Sequence, residues 1–199
     1  MDVVGILLAA GRGERFDPTG RQLKLLQARH SGPGCGEPLA LAAARALRSA
    51  VGTVIAVVRA GREPNQERLR KMLVDAGCTV LDCVPGRRDD EGTGRSIATA
   101  VAARPQAAGW IVALADMPAI DPATISAVRM AIEGGAACAA PYFNGRRGHP
   151  VGFGAVCGAE LAALRGDAGG RAVLERHPVL RIDVNDPGIL LDVDRAADL

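Results

Sequence analysis

Two groups of residues in this chain have types and spacing that could do chemistry: a glycine-rich turn with cations, and carboxylates at the ends of apolar runs. Gly11 and Gly13 stop the apolar run Val3, Val4, Ile6, Leu7 and Leu8, as at the exit of a buried parallel strand. Ala9, Ala10, Gly11 and Gly13 are small enough for main-chain N–H groups to approach an anion, and Arg12, Arg15 and Lys24 surround them with positive charge. This is phosphate chemistry. A second run, Trp110 to Ala115 (WIVALA), delivers Asp116 ahead of Met117 and Pro118. A carboxylate at the carboxyl end of a central parallel strand stands where open α/β sheets bind ligands, and magnesium takes one or two such carboxylates together with phosphate oxygens. Two further loops carry polar groups. PGRRDDEGTG (residues 85–94) leads into a helical pattern at Arg95 to Ala103, which puts Ser96 at a helix N-terminal end, and NGRRGHP (residues 144–150) forms a basic turn. Taken singly, each has a plain structural explanation as a strand-to-loop turn, a solvated charge run or a surface turn.

Other chemistries are excluded. The G-x-G-x-x-G dinucleotide fingerprint fails because Phe16 occupies its third glycine, and Lys24 has neither the preceding glycine nor the following hydroxyl of G-x-x-x-x-G-K-[ST]. With 24 basic and 22 acidic residues the net charge is only +2, and Trp110, Tyr142 and three Phe cannot interleave with a basic patch, so nucleic acid is not an expected partner. The five cysteines (Cys35, Cys78, Cys83, Cys138, Cys157) form no C-x-x-C pair and read as small buried hydrophobes, neither a disulfide framework nor a zinc site. Three histidines in no readable triad give nucleophilic catalysis no support. No run is long enough to span a bilayer and no basic leader with a cleavage site precedes the first strand, so the expectation is a cytoplasmic protein without membrane partners.

The elements needed to position these groups follow from periodicity. A helix is expected at Pro38–Ala50, and Thr53–Val58 (TVIAVV) is a fully apolar strand. The next helix has Leu69, Met72, Leu73 and Ala76 on one face and Gly77 as its cap, and Thr79–Val84 is a third strand. Asp121 caps a helix with Pro122 at its first position and Ile125, Val128 and Ile132 on its buried stripe. Ala136–Tyr142, Val151–Phe153, Val179–Val184 and Ile189–Val193 are the remaining strands, and Leu164–Leu174 reads as a helix end, a tight turn and a second short helix. Alternating β and α elements predict a mostly parallel sheet with helices on both faces. At 199 residues, with no repeat and no linker, residues 1–199 are expected to form one domain. The longest stretch without periodicity, Gly11–Glu37, exceeds ordinary loop length, which points to a functional or mobile segment.

Six motifs in order resemble the MobA-like nucleotidyltransferases of molybdenum-cofactor biosynthesis, and among them the CTP:molybdopterin cytidylyltransferase branch. They are LAAGRGERF (residues 8–16) with Lys24, Leu25 and Leu26, GTGRSI (92–97), LADMP (114–118), PYFNGRRGHPVGF (141–153), LRGDAGGRAVL (164–174) and DVDRAADL (192–199). The resemblance spans the chain and implies a Rossmann-like three-layer α/β fold with a mostly parallel mixed sheet. It implies nucleotide binding by Leu8, Ala9, Ala10, Gly11, Gly13, Lys24, Gly94 and Ser96, and catalytic roles for Lys24, Arg15 and Asp116. Mg2+ would be held by Asp116 and Asp194, with Asp192 the alternative second carboxylate. Arg147, Gly148, His149, Pro150 and Asp167 would face the acceptor. Arg195 and Ala196 stand where the family pattern has Thr-Pro, and an additional Asp17-Pro18-Thr19-Gly20 turn separates Arg15 from Lys24.

The implied reaction is attack by a terminal phosphate of molybdopterin, a phosphorylated pterin, on the α-phosphorus of CTP, with release of pyrophosphate. Transient contact with a molybdoenzyme or its chaperone is implied too. Three alternatives stay open: a GTP-dependent guanylyltransferase, whose opening loop commonly reads LAGG; a cytidylyltransferase acting on a sugar or polyol phosphate; and a nucleotide- or cofactor-binding chaperone without turnover.

Overall fold

A computed structural model describes residues 2–19, 21–30, 35–83 and 92–199. Val84 and most of the charged loop before Gly92, together with Gly20 of the first loop, lie outside the described residues. Among the described residues the strands are β1 (Val3–Ala9), β2 (Thr53–Arg59), β3 (Thr79–Cys83), β4 (Gly109–Leu114), β5 (Cys138–Phe143), β6 (Arg146–Arg147), β7 (Val151–Gly154) and β8 (Val179–Asp183). They form one sheet in the order β3-β2-β1-β4-β7-β5-β6, with β8 paired in parallel to β5. β1 to β4 run parallel, and β7 and β6 run against their neighbours.

The helices that matter for the core are α1 (Leu39–Ala50), α2 (Pro64–Asp75), α3 (Thr93–Ala103), α4 (Pro122–Glu133), α5 (Gly158–Ala162) and α6 (Arg171–Leu174). Side chains alternate across the strands and bury both faces. Val3, Leu7, Val54, Ala56, Val58 and Ile111 pack with Leu47 of α1, Leu69 and Leu73 of α2, and Ile125, Val128 and Ile132 of α4. Val4, Ile6, Ile55, Val57, Trp110 and Phe153 pack with Ile97 and Val101 of α3, Leu161 of α5 and Val173 of α6. The result is the three-layer α/β fold with a mostly parallel mixed sheet. Asp121 caps α4 through a 2.7 Å bond from the Ala123 N–H, with Pro122 next in line.

The chain runs outward from β1 to β2 and β3, then returns across β1 to β4, so the order reverses between β1 and β4. The carboxyl ends of those two strands flank the crevice that such a reversal opens. Loops leaving them are tied at once: the Ala115 N–H donates to the Leu8 carbonyl over 3.1 Å.

One expected strand is corrected. Ile189–Val193 reads as a sheet strand because it is apolar, yet Pro187–Leu190 is a 3-10 helix and the following residues join no sheet. The cause lies just upstream. Asp186 Oδ1 accepts the Gly188 N–H at 2.9 Å, and Pro187 begins the helix with its φ already set. The segment buries Ile189 in the core, and the Val193 N–H reaches the Asp116 carbonyl at 3.0 Å. The C-terminal carboxylates are thereby brought beside the end of β4.

The cysteine expectation needs correction as well. Cys78, Cys138 and Cys157 are buried, but Cys35 is exposed and Cys83 is half-buried. Burial pushes the Cys138 thiol up to about 12, with Cys157 adding to the shift, and raises Cys157 too.

Candidate active site

A cavity of about 1120 Å³ opens at the carboxyl ends of β1, β2, β3 and β4. Its walls come from the loop after β1 (Ala10, Gly11, Arg12, Gly13, Arg15), the Lys24 turn, the strand ends Leu8, Arg59, Cys83 and Leu114, and the N-terminal turn of α3. Asp116, Asp167, Asp192 and Asp194 complete it. Carboxylates and cations thus share one concave site.

At its centre is Lys24. Lys24–Leu26 forms a 3-10 turn whose Leu25 is buried in the core, which fixes the turn and directs the lysine inward. Its Nζ lies 2.7 Å from Asp116 Oδ2 and 3.6 Å from Asp194 Oδ1, with 9% of the side chain exposed. Arg15 Nη1 lies 2.7 Å from the other oxygen of Asp194, Oδ2, from a largely exposed position. Lys24 is therefore a nearly buried, ion-paired residue.

The place of Asp194 is set by Asp198. One carboxylate oxygen of Asp198, Oδ2, accepts the Asp194 N–H at 3.0 Å and the Arg195 N–H at 2.7 Å. These backbone bonds hold the Asp198 carboxyl below its usual range and pin the turn. Asp198 thus orders the Asp194 turn although Arg195 and Ala196 replace Thr-Pro. Asp192 also lines the cavity, but it makes no ion pair with Lys24 or Arg15 among the described residues, whereas Asp194 pairs with both. Asp116 and Asp194 present oxygens within reach of a single cation. This hard oxygen pair suits Mg2+ or a similar ion sharing phosphate oxygens and water. Among the described residues no group of three or more His, Cys, Asp or Glu could form an all-protein cage.

The nucleotide-binding candidates divide between cavity and core. Leu8, Ala10, Gly11, Gly13, Lys24 and Ser96 line the cavity, while Ala9 turns its methyl into the core. Gly94 is packed against the 165–166 backbone, where a Cβ would come within 2.8 Å of the Arg165 carbonyl oxygen. Ser96, in the first turn of α3, is buried; its hydroxyl lies 3.4 Å from the Gly92 carbonyl and 3.6 Å from Cys83 Sγ.

The acceptor candidates are divided more sharply. Asp167 sits on the α3 side of the cavity, so near Gly92 that a Cβ there would meet its Oδ1 at 2.3 Å. Arg147, Gly148, His149 and Pro150 are not in that wall. Gly148 and Pro150 are buried, and a Cβ on Gly148 would meet the Ile189 carbonyl at 2.3 Å. Arg147 is exposed. The His149 ring is mostly enclosed; burial lowers its pKa, opposed by a bond to the Val112 backbone and by Asp116 and Asp192. Its Nδ1 is buried without a hydrogen-bond partner.

Arg59, Arg95, Cys83 and Thr93 also line the cavity and escaped the sequence reading. Arg59 had a legible signal: it is the polar residue that ends the apolar run of β2 at its carboxyl end. Cys83, Thr93 and Arg95 flank the charged loop, which reads in sequence only as a solvated run.

Known proteins agree with this architecture. Rv0371c of Mycobacterium tuberculosis superposes with a TM-score of 0.78 at 25% identity, covering 100% of this chain and 95% of that one. The same protein has been solved as a complex with manganese, with a TM-score of 0.75 at 25% identity over 100% of this chain and 96% of that one. Its homolog from Mycobacterium sp. strain JC1 gives 0.73 at 28% identity over 98% and 92% of the two chains. A molybdopterin-guanine dinucleotide biosynthesis protein A from Archaeoglobus fulgidus shares the fold at 0.64 and 16% identity, covering 98% and 94%. No curated protein matches the chain by sequence. The MobA-like NTP transferase domain matches residues 5–181, a span that includes Lys24 and Asp116 and stops short of Asp194. The chain belongs to the MobA-like NTP transferase family.

Proposed function

We propose that this protein transfers CMP from CTP to the terminal phosphate of molybdopterin, releasing pyrophosphate, with Mg2+ as the metal. The observation that carries the reading is the convergence of Asp116 and Asp194 on Lys24, with Arg15 beside them, in a cavity rimmed by two glycine-bearing segments. A triphosphate needs that combination: backbone N–H groups and cations for its oxygens, and carboxylates for the metal it carries. The manganese complex of Rv0371c supports a divalent ion in this fold.

Ala10, Gly11 and Gly13 receive the nucleotide, Ser96 stands on the opposite wall, and Gly94 lets the start of α3 pack against the 165–166 backbone behind it. Asp116 and Asp194 would hold the metal, which would offset charge on the phosphates. Lys24 and Arg15 face the triphosphate, where charge grows on the leaving pyrophosphate. An oxygen of the acceptor phosphate bonds to the α-phosphorus as the bond to the bridging oxygen of pyrophosphate breaks. The attacking oxygen is already ionised at neutral pH, so the protein needs no general base. Its contribution is alignment and charge. Arg147 supplies the acceptor side, His149 lies within electrostatic reach of both Arg147 and Asp116, Gly148 and Pro150 shape that turn, and Asp167 lies on the α3 side of the cavity.

Preference for CTP rests on Ala10, which is half-buried on the cavity wall. Its methyl narrows a backbone pocket that glycine would widen, which favours the smaller pyrimidine by about 1–3 kcal/mol. The test is pyrophosphate release with Mg2+, molybdopterin and each of the four NTPs. CTP should turn over fastest. Faster release with GTP would make the enzyme a guanylyltransferase, and none with any nucleotide would leave a binding protein without turnover.

A further inference from the structure

The carboxylate oxygens that face a metal in this reading already face a cation of the protein's own. Lys24 Nζ spans Asp116 Oδ2 and Asp194 Oδ1, and Arg15 takes the remaining Asp194 oxygen. Over the cavity lining as a whole, among the described residues, five cationic side chains face five carboxylates. The turn cannot swing away to release the ammonium, because Leu25 beside it is anchored in the core. The side chain is itself nearly enclosed. Lys24 can leave the carboxylates only by turning into the cavity, toward the walls built by Gly11, Arg12, Thr93 and Ser96.

A divalent cation arriving alone would add uncompensated charge to a balanced site and would have to displace an ammonium that has nowhere favourable to go. A nucleoside triphosphate changes both terms. Its phosphate oxygens accept Lys24 and Arg15 at the moment the metal takes over Asp116 and Asp194. We propose that Lys24 is a specificity-determining residue that makes the site bind the metal–nucleoside triphosphate complex as one ligand and exclude the free divalent cation. The inference rests on the reading of Asp116 and Asp194 as the metal carboxylates. It adds the form in which the metal enters.

The test measures Mn2+ binding by the EPR signal of the free ion, first without nucleotide, then with CTP and no acceptor. Wild-type protein should bind Mn2+ weakly alone and readily as Mn2+–CTP. Lys24→Met should bind Mn2+ alone on the order of tenfold more tightly, which collapses the coupling between metal and nucleotide. Lys24→Arg, which keeps the charge, should still bind free Mn2+ weakly. Lys24→Gln serves the same purpose if the Met variant does not fold by circular dichroism. A neutral variant with wild-type affinity for free Mn2+ overturns the inference. Adding Asp116→Asn to each protein separates the two levels. If it abolishes Mn2+ binding everywhere while Lys24→Met changes nothing, only the inference falls; if it leaves Mn2+ and Mn2+–CTP binding intact, the metal assignment itself falls.

Discussion

Removing the carboxylate of Asp186 should loosen the joint that holds the two halves of the site together. Asp186 is 7% exposed. Its Oδ2 accepts the Asp121 N–H at 2.9 Å and the Thr124 hydroxyl at 2.8 Å, and its Oδ1 accepts the Gly188 N–H at 2.9 Å. It thereby ties the loop after Asp116 to the segment that leads to Asp194. The approach is close enough that a Cβ on Gly188 would lie 2.1 Å from the Ala119 carbonyl. In Asp186→Ala the Thr124 hydroxyl can turn to its own helix, but two backbone N–H groups lose their acceptor at about 1–3 kcal/mol each. Relief from burying a charge offsets part of that, so the net loss should be about 2–4 kcal/mol. For a chain of this size each kcal/mol moves Tm by about 2–4 °C, giving a fall of roughly 5–15 °C by calorimetry. Asp186→Asn, which keeps one acceptor oxygen, should lose about half as much. Because the joint carries the Asp192–Asp194 limb, KM for the metal–nucleotide complex should rise in both variants. A Tm within about 2 °C of wild type for Asp186→Ala would refute the reasoning.

Three other outcomes follow from the same geometry. Asp198→Ala frees the Asp194 and Arg195 N–H groups, so Mn2+–CTP affinity by calorimetric titration should weaken several-fold while Tm barely changes, because the turn is exposed; unchanged affinity would remove Asp198 from the support of Asp194. His149 has its folded pKa depressed by burial, so between that value and the unfolded value near 6.5 the unfolded chain binds more protons; its stabilising contribution is complete above about pH 6.5 and is lost as pH falls below it. Thermal melts should show Tm declining on acidification less steeply in His149→Gln than in wild type, and parallel curves would contradict this. Finally, a thiol reagent at pH 8 should label Cys35 first, with CTP and Mg2+ slowing reaction at cavity-lining Cys83, while Cys138, pushed up to about 12, stays unlabelled until the protein unfolds.

Much of the fold was legible because local pattern and tertiary environment agree. The apolar runs of β1, β2 and β4 are buried on both faces, and Leu69 and Leu73, or Ile125, Val128 and Ile132, mark helix faces that the sheet does cover. Asp116 could be placed because a carboxylate ending such a run has one location. The misread segment, Ile189–Val193, has strand composition; a carboxylate three residues earlier redirects it, and an Asp-Pro-Gly turn was the available hint. Lys24 illustrates a different limit. Its pairing with Asp116 joins residues 92 apart in the chain, which no local window reports. The division of Asp167 from the Arg147–Pro150 turn is likewise a matter of which element docks where. Both belong to motifs legible in sequence, yet the Gly166–Ala168 turn packs on the start of α3 while Gly148 packs on Ile189.

The central claim, metal-dependent nucleotidyl transfer at the Asp116–Asp194–Lys24 cluster, is tested most directly by following label from the α-phosphate of CTP into molybdopterin. Wild-type protein and Asp116→Asn should be compared at matched concentration in Mg2+. Wild type should form labelled dinucleotide and pyrophosphate in equal amounts. The variant should form neither while keeping its circular dichroism spectrum, since Asp116 is a partly exposed strand-end residue outside the core. Transfer at the wild-type rate by Asp116→Asn would contradict the account.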